Sequence, residues 1–482
     1  MLSAPILFRP ESIHQQLDQR FYRPVEAAQF PQHQLRYRNH AAAKSVGLDG
    51  LDDASWVQHF GHFQPLDGSF LAPLALCYHG HQFGHYNPDL GDGRGFLFAQ
   101  IRDQQDRLMD LGTKGSGTTP FSRSADGRLT LKGAVREILA TEMLTALDVT
   151  TSQSFSVIET GEQLERNDEP SPTRSAVLVR LSHSHIRIGS FQRLAYMDDM
   201  DGIEMLARHV ARHYFGGTVK TELAQTELVQ TELAQTKLAK DNDRLDADAP
   251  LTELLPALLS HVAAAIADTA GRWLAAGFVH GVLNTDNMNI TGESFDYGPY
   301  RMLEHYDTEK IAAYFDHSGL YKFGNQVNAI FWNIQQLASI MTIFISKEKL
   351  IDVLKQYADL YNQYLQKLTF QRLNIIMKSN SQNQELLSSF YELQATKKFF
   401  YEEIFYDFQN FTSRQDLISK KYSPYSFLNA FKKFEIIIKS NSTNKKFTSL
   451  FYDDIEKIWQ SINDKDDWSL FDKKLKSINN IL

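Results

Sequence analysis

Apolar and polar residues follow two different periods along the chain, and the periods divide it into elements. Short apolar runs bounded by glycine or charged residues predict strands at 96–99, 108–111, 153–159 and 176–181. Apolar residues spaced three and four apart predict helices. Over 132–146, Val135, Ile138, Leu139 and Met143 make one stripe. Over 254–276, Leu254, Leu258, Val262 and Ile266 share a face, and Gly277 marks the end. Phe278 and Val279 then read as a short buried strand, and Phe331, Ile334, Leu337, Ala338 and Met341 as a further buried helical face. After about residue 346 Lys, Asn, Phe and Ile dominate, Gly and Pro nearly vanish, and the spacing is helical. The aromatic stripe there reads as core.

One stretch follows neither period. Residues 221–240 repeat every five residues as TELAQ, TELVQ, TELAQ and TKLAK. Five residues advance a helix by about 500°, so successive leucines land about 140° apart and share no face. A coiled coil needs a period of seven. The repeat therefore reads as a solvated insertion between two lobes.

Composition narrows the setting. With 482 residues, 43% of them hydrophobic, the chain can bury a large core. A net charge of −8 argues against a surface built for nucleic acid but leaves room for a local basic pocket. The single cysteine, Cys77, excludes an intramolecular disulfide and a Cys-rich zinc site, and it suits a reducing compartment. The opening MLSAPILFRPESIHQQ lacks the basic and long apolar regions of a signal peptide. No run approaches the ~18 apolar residues of a spanning helix. The expectation is a cytoplasmic protein with no membrane or nucleic-acid partner.

Candidate chemistry sits in the polar breaks. His79, His81 and His85 are close enough to be metal ligands, but without an acidic or cysteine partner they read better as positioning the loop that follows. That loop, GDGRG at 91–95, contains Gly91, Gly93 and Arg94. Glycines let backbone N–H groups approach a phosphate, and arginine adds charge; Asp-Gly is equally a hairpin-turn signal. Lys114 follows the second strand, ahead of a Gly/Ser/Thr-rich loop with Asp126 and Gly127. Glu137 lies beside the first helical stripe and is a candidate partner for Lys114, or a solvent-facing side chain. Arg180 and Arg187 flank the end of the 176–181 strand, as a phosphate clamp or as rim salt bridges. The stretch HGVLNTDNMNITGESFDYG, 280–298, holds Asp286, Asn287 and Asp296. Protein kinases carry H-R-D-L-x-x-x-N and then D-F-G in this order; the Asn and the later Asp hold Mg²⁺, and the earlier Asp accepts the substrate proton. Here His280, Asn287 and Asp296-Tyr297-Gly298 match, whereas Val282 occupies the place of the base. Asp286 is the carboxylate in reach. Taken alone, the stretch also reads as a polar surface loop.

Seven motifs occur in a fixed order: GHQFG, LGDGRG, the Lys114 loop with ADGR, REILATEM, SHSHIRIGSF, GFVHGVLNTDNM and FDYGP. Together they closely resemble the selenoprotein O family, called YdiU in bacteria, over about residues 55–345. The resemblance implies an α+β, bilobal protein-kinase-like fold with additional N-terminal and helical C-terminal segments. The parts would be an N-terminal extension (1–75), an N-lobe (76–200), the insertion (201–250), a C-lobe (251–345) and a helical C-terminal region diverged from the family (346–482). It implies a pseudokinase that binds ATP in a flipped orientation. AMP would pass to Ser, Thr or Tyr hydroxyls of proteins, with Mg²⁺ or Mn²⁺, and pyrophosphate would leave. By motif, Gly91, Gly93 and Arg94 would hold the nucleotide, and Asp126 and Gly127 would complete its pocket. Lys114 would contact phosphates and pair with Glu137, while Arg180 and Arg187 would neutralise phosphate charge. Asp286 would accept the proton, and Asn287 and Asp296 would hold the metal.

The chain departs from the family in two places. Gly95 stands where the family carries alanine, and the family's N-P-x-x-x-x-R-N segment and C-terminal cysteine have no counterpart after residue 346. Rival readings are transfer of UMP or of phosphate by the same fold, and a nucleotide-binding pseudoenzyme without turnover. Val282 argues against the kinase.

Overall fold

The computed structural model describes residues 7–167, 169–216, 244–437 and 447–481. The five-residue repeat at 221–240 lies outside the described residues.

The predicted strands meet in one antiparallel sheet. Leu97–Arg102 pairs with Leu108–Lys114, which pairs with Thr173–Ser182, which pairs with Gln153–Leu164. Each strand runs a few residues beyond its predicted bounds, because ladder bonds extend past the apolar run that signals them. Short strands from the N-terminal region are part of this sheet. Gln34–Arg38 forms one edge, Leu74–Leu76 and Tyr22–Pro24 form the other, and Pro10–Glu11 pairs with Leu97–Arg102.

Both faces of the sheet are covered, which explains the near-continuous apolar run at 176–181. Ala176 and Leu178 point into one core with the helix Leu131–Ala146. Val177, Val179 and Leu181 point into another with Trp56 and Phe60 of the helix Asp53–Phe60. The stripe Val135, Ile138, Leu139 and Met143 is buried as its spacing predicts. Thr130 caps that helix by accepting from the Gly133 N–H.

The helical half is built around Leu251–Ala275, 25 residues long. By length and composition this helix is apolar enough to cross a membrane, contrary to the expectation that no run would be. It is a core helix. Leu254, Leu255, Leu258, Leu259, Val262 and Ile266 are buried, against the helices Gln326–Met341, Lys347–Leu354 and Tyr357–Arg372. Neighbours on several sides remove the need for a polar face. Further along, Phe390, Phe405, Phe408, Phe427 and Phe431 close a second core, so the C-terminal aromatic stripe is packing. The last two helices, Tyr452–Lys465 and Ser469–Asn479, return to the helix Leu131–Ala146, where Lys132 Nζ bonds Glu456 Oε2 at 2.8 Å.

Between the sheet and the helix Met200–Tyr214 lies a buried histidine layer. The His14 and His209 rings meet edge-on at 6.0 Å, and His209 and His213 lie 4.8 Å apart. Burial pulls His14, His183 and His213 down to about 4, and His209 well below its ordinary value. Depressed histidines stay neutral when folded and take up protons on unfolding. Their contribution is therefore intact above about 6.5 and is lost as pH falls from there towards about 4. Each fully buried group weakens stability by up to about 1.4 kcal/mol per pH unit in that window. Thermal unfolding at pH 7 and pH 5 should show a clear drop in Tm at the lower value. An unchanged Tm would mean that these side chains do not stay neutral in the fold.

Candidate active site

The strand Leu108–Lys114 is buried along its whole length, so the Nζ of its last residue, Lys114, needs counter-charges. It finds two. It donates to the carboxylate of Glu137, from the helix Leu131–Ala146, and to Asp296 Oδ1 at 2.6 Å. Glu137 is buried as well, so it is no solvent-facing residue. Asp296 adopts a left-handed backbone with φ 67°, which turns its carboxylate toward the sheet. Burial would raise its pKa, but Lys114, Arg180 and Arg94 outweigh burial and hold it well below the usual carboxylate range. Tyr297, where kinases carry phenylalanine, is buried and donates to Ser294 Oγ at 2.7 Å.

Two arginines complete the charge cluster. Arg180 Nη1 lies 3.6 Å from Asp296 Oδ1, yet Arg180 Nε and Nη1 complete no hydrogen bond among the described residues. Buried guanidinium donors left unfilled are costly, and an incoming anion would satisfy them. Arg187 caps the helix Ile188–Tyr196, stacks over Tyr78 at 4.2 Å and Phe295 at 5.2 Å, and meets Asp92 Oδ1 at 3.3 Å. Burial would lower its pKa; Tyr78, Asp92, Asp296 and Asp286 together keep it raised and charged.

The glycine loop sits beside this cluster. Gly91 packs so closely on Phe121 that a Cβ there would lie 2.3 Å from the ring. Ser122 Oγ donates to Gly93 O at 2.5 Å, and Thr119 Oγ1 to Asp92 O at 2.5 Å, so the loop is tied to the Ser/Thr-rich segment after Lys114. Arg94 is exposed. Gly127 packs against Gly117, whose N–H donates to Gly127 O at 3.2 Å. Asp126 is engaged at the surface by Arg166, at 2.8 Å, and is not bonded to the Lys114 cluster.

The loop after Phe278–Val279 carries the remaining candidates. His280 is buried; its Nε2 meets Phe295 O at 2.9 Å and so joins the two halves of the 280–298 stretch. Asp286 lies in a single turn, Thr285–Asn287, and is buried with Oδ1 unpartnered. Burial pushes its carboxyl up to about 7, against the pull of Arg187 and with a push from the Asp296 charge. Val282 offers no carboxylate; its carbonyl accepts from Asn287 Nδ2 at 3.1 Å. That bond engages the NH₂ of Asn287 and leaves Oδ1 available as an oxygen donor.

These residues fit a hard divalent cation. Such ions take oxygen ligands, commonly one or two from side chains and the rest from substrate phosphates and water. Asp296, ionised and partly exposed, and Asn287 Oδ1 supply oxygens of that kind. Among the described residues no three His, Cys, Asp or Glu side chains are arranged to hold a metal ion, so a cation here would rely on phosphates for the rest of its shell. Of the three closely spaced histidines, His79 meets the Tyr86 hydroxyl at 2.9 Å, His81 meets Gln192 at 2.7 Å, and His85 is exposed. They support neighbouring turns.

Sequence reasoning passed over Asp92, Thr285 and Gln192. Asp92 lay within the glycine loop but read as part of a turn. Thr285 and Gln192 are uncharged and carry no spacing signal; only their place inside TDN and SFQ marked them.

Comparison with known proteins agrees with this geometry. The family model described as Protein adenylyltransferase SelO matches residues 7–479. A Protein nucleotidyltransferase YdiU of Trichodesmium erythraeum (strain IMS101) is 38% identical over 499 residues, covering 99% of this chain and all of its own. Its namesake in Synechocystis sp. is 44% identical over 361 residues, covering 74% of this chain and 69% of its own. The one in Vibrio cholerae is 33% identical over 380 residues, covering 79% and 70%. The family match runs past residues 55–345 on both sides and takes in the N-terminal strands and the C-terminal helices. With Lys114, Glu137, Asp296 and the two arginines gathered in one cluster, and the match spanning nearly the whole chain, this protein belongs to the SelO family of protein adenylyltransferases and is a nucleotidyltransferase.

Proposed function

We propose that this enzyme transfers AMP from ATP to Ser, Thr or Tyr hydroxyls of proteins, on a bilobal kinase-like scaffold. The observation that carries the proposal is the pairing of Asp286 with Val282. The position of the kinase base is apolar, and a buried carboxyl with a free oxygen stands four residues later, next to Arg187. A base so displaced suits a nucleotide whose α-phosphate, not its γ-phosphate, faces the acceptor.

Each residue then has a physical task. Arg180 fills its vacant donors with phosphate oxygens, and Lys114, held by Glu137, offers a fixed positive charge. Arg187 neutralises charge beside Asp286, and the loop of Gly91, Gly93 and Arg94 supplies backbone N–H groups and an exposed cation. Asp126 and Gly127 shape the far wall of the pocket. Asn287 and Asp296 hold Mg²⁺ or Mn²⁺, which when bound neutralises phosphate charge. The acceptor hydroxyl oxygen bonds to the α-phosphorus, the bond to the bridging oxygen breaks, and pyrophosphate leaves. The hydroxyl proton passes to the Asp286 carboxylate. Positioning and charge neutralisation do most of this work, since phosphoryl chemistry asks little covalent help of a protein.

Mass spectrometry of an acceptor protein incubated with enzyme, ATP and Mg²⁺ or Mn²⁺ tests the reading. The expected adduct is AMP on a hydroxyl side chain. A UMP adduct formed in preference when UTP is also present would replace ATP by UTP in this account, and a phosphate adduct would refute it.

A further inference from the structure

The oxygen Oδ1 of Asp286 has no hydrogen-bond partner among the described residues, and beyond the Gln82 side chain and the local backbone, which bond the carboxyl, its position needs a further restraint. The preceding residue supplies it. Thr285 is fully buried, and its hydroxyl accepts from the His81 backbone N–H at 2.7 Å. The same hydroxyl donates to Gln192 Oε1 at 2.6 Å. Gln192, buried on the helix Ile188–Tyr196, turns its NH₂ to His81 Nδ1 at 2.7 Å. Three separate segments thus close a ring: the hairpin Gly80–Gln82/His85–Asn87, the helix, and the turn of Asp286.

With the Gln192 amide oriented as it stands, the ring runs in one direction. A threonine hydroxyl carries one proton, and here it points to Gln192 Oε1. The Gln192 amide must then donate to His81, so His81 is neutral with its proton on Nε2. The hairpin also presses on the base directly. A Cβ at Gly80 would lie 3.0 Å from Asp286 Oδ1 and 3.1 Å from Thr285 Oγ1, so any larger residue there would press on both side chains. On the other side of the turn, Asn284 Oδ1 accepts from the Phe83 N–H at 3.1 Å and from the Tyr321 hydroxyl at 2.8 Å.

We propose that Thr285, Gln192 and His81 are positioning residues that aim the Asp286 carboxylate at the acceptor hydroxyl through this one-way ring. The proposal rests on the reading of Asp286 as the base. None of the three touches the reacting atoms.

Thr285→Val removes the central hydroxyl at nearly constant volume, and Thr285→Ser keeps it. A misplacement of the base of about 1 Å is expected to lower kcat for AMP transfer by roughly 10²-fold in T285V. KM for ATP should stay within about twofold, and T285S should recover most of the rate. Gln192→Glu keeps an acceptor for Thr285 but loses the donor to His81, so His81 must take a proton on Nδ1. ¹⁵N-histidine NMR reads that directly: the wild type should show His81 protonated on Nε2 alone, and Q192E should show a proton on Nδ1. Wild-type kcat in T285V, loss of ATP affinity in step with rate, or a His81 tautomer that is unchanged in Q192E would each overturn the proposal. Asp286→Asn run in parallel separates the two claims. Full activity in D286N refutes the base, whereas an inactive D286N beside a fully active T285V refutes only the positioning ring.

Discussion

Asp286→Ala is expected to keep most of the enzyme's ATP affinity while losing roughly 10²–10⁴-fold in the rate of AMP transfer. The split follows from where the residue sits. Its carboxyl is buried beside Arg187, its Oδ1 has no hydrogen-bond partner, and among the described residues Lys114 and Arg180 pair with Glu137 and Asp296 rather than with it. Removing it takes away the proton acceptor but leaves the phosphate-binding charges in place. Burial holds the carboxyl near 7, so proton uptake there is close to balanced at neutral pH, as an efficient base requires. Calorimetric titration with ATP and Mg²⁺, beside a rate assay, checks both halves. Near-normal turnover in a folded mutant would make Asp286 a structural loop residue. Loss of affinity equal to that of the Asp296 variant would make it part of the metal site.

Asp296→Ala should instead abolish both binding and turnover when the metal is present. In the proposed site Asp296 serves as a hard oxygen ligand, and Lys114 and the neighbouring arginines hold it ionised. With Mg²⁺, ATP affinity is expected to fall by at least about 10²-fold. Without Mg²⁺ the mutant should bind ATP as well as the wild type or better, because a negative charge facing the phosphates has gone. The fold should survive, since Lys114 keeps Glu137 as a partner. Titrations with Mg²⁺ and with chelator read this difference. A mutant that keeps the Mg²⁺-dependence of the wild type would remove Asp296 from the metal site.

Much of the fold was legible because its elements have strong periods. The stripe of Val135, Ile138, Leu139 and Met143 gave the helix, but Glu137 beside it read equally as a partner of Lys114 or a solvent-facing side chain, and only the packing makes it the partner. The sheet edges were not legible. Pro10–Glu11, Tyr22–Pro24 and Gln34–Arg38 are two to five residues long, too short for a period to stand out from chance. The helix Leu251–Ala275 is legible from its period, but scattered polar residues interrupt its apolar run, so its span-like length and composition do not stand out in the sequence. Within the site, charged residues in motifs could be listed from sequence, but their partners could not. Asp126 turned out to face Arg166, forty positions on, and Arg187 to face Asp92, ninety-five positions back. Thr285 and Gln192 are neutral, and hydrogen-bond partnerships between neutral side chains leave no trace in spacing.

The central claim is that the α-phosphorus, not the γ-phosphorus, meets the acceptor. ATP labelled at one or the other phosphate, incubated with the purified enzyme, an acceptor protein and Mg²⁺ or Mn²⁺, tests it directly. The account predicts protein-bound label from α-labelled ATP and none from γ-labelled ATP. Protein-bound γ-label without α-label would contradict it and make this enzyme a kinase.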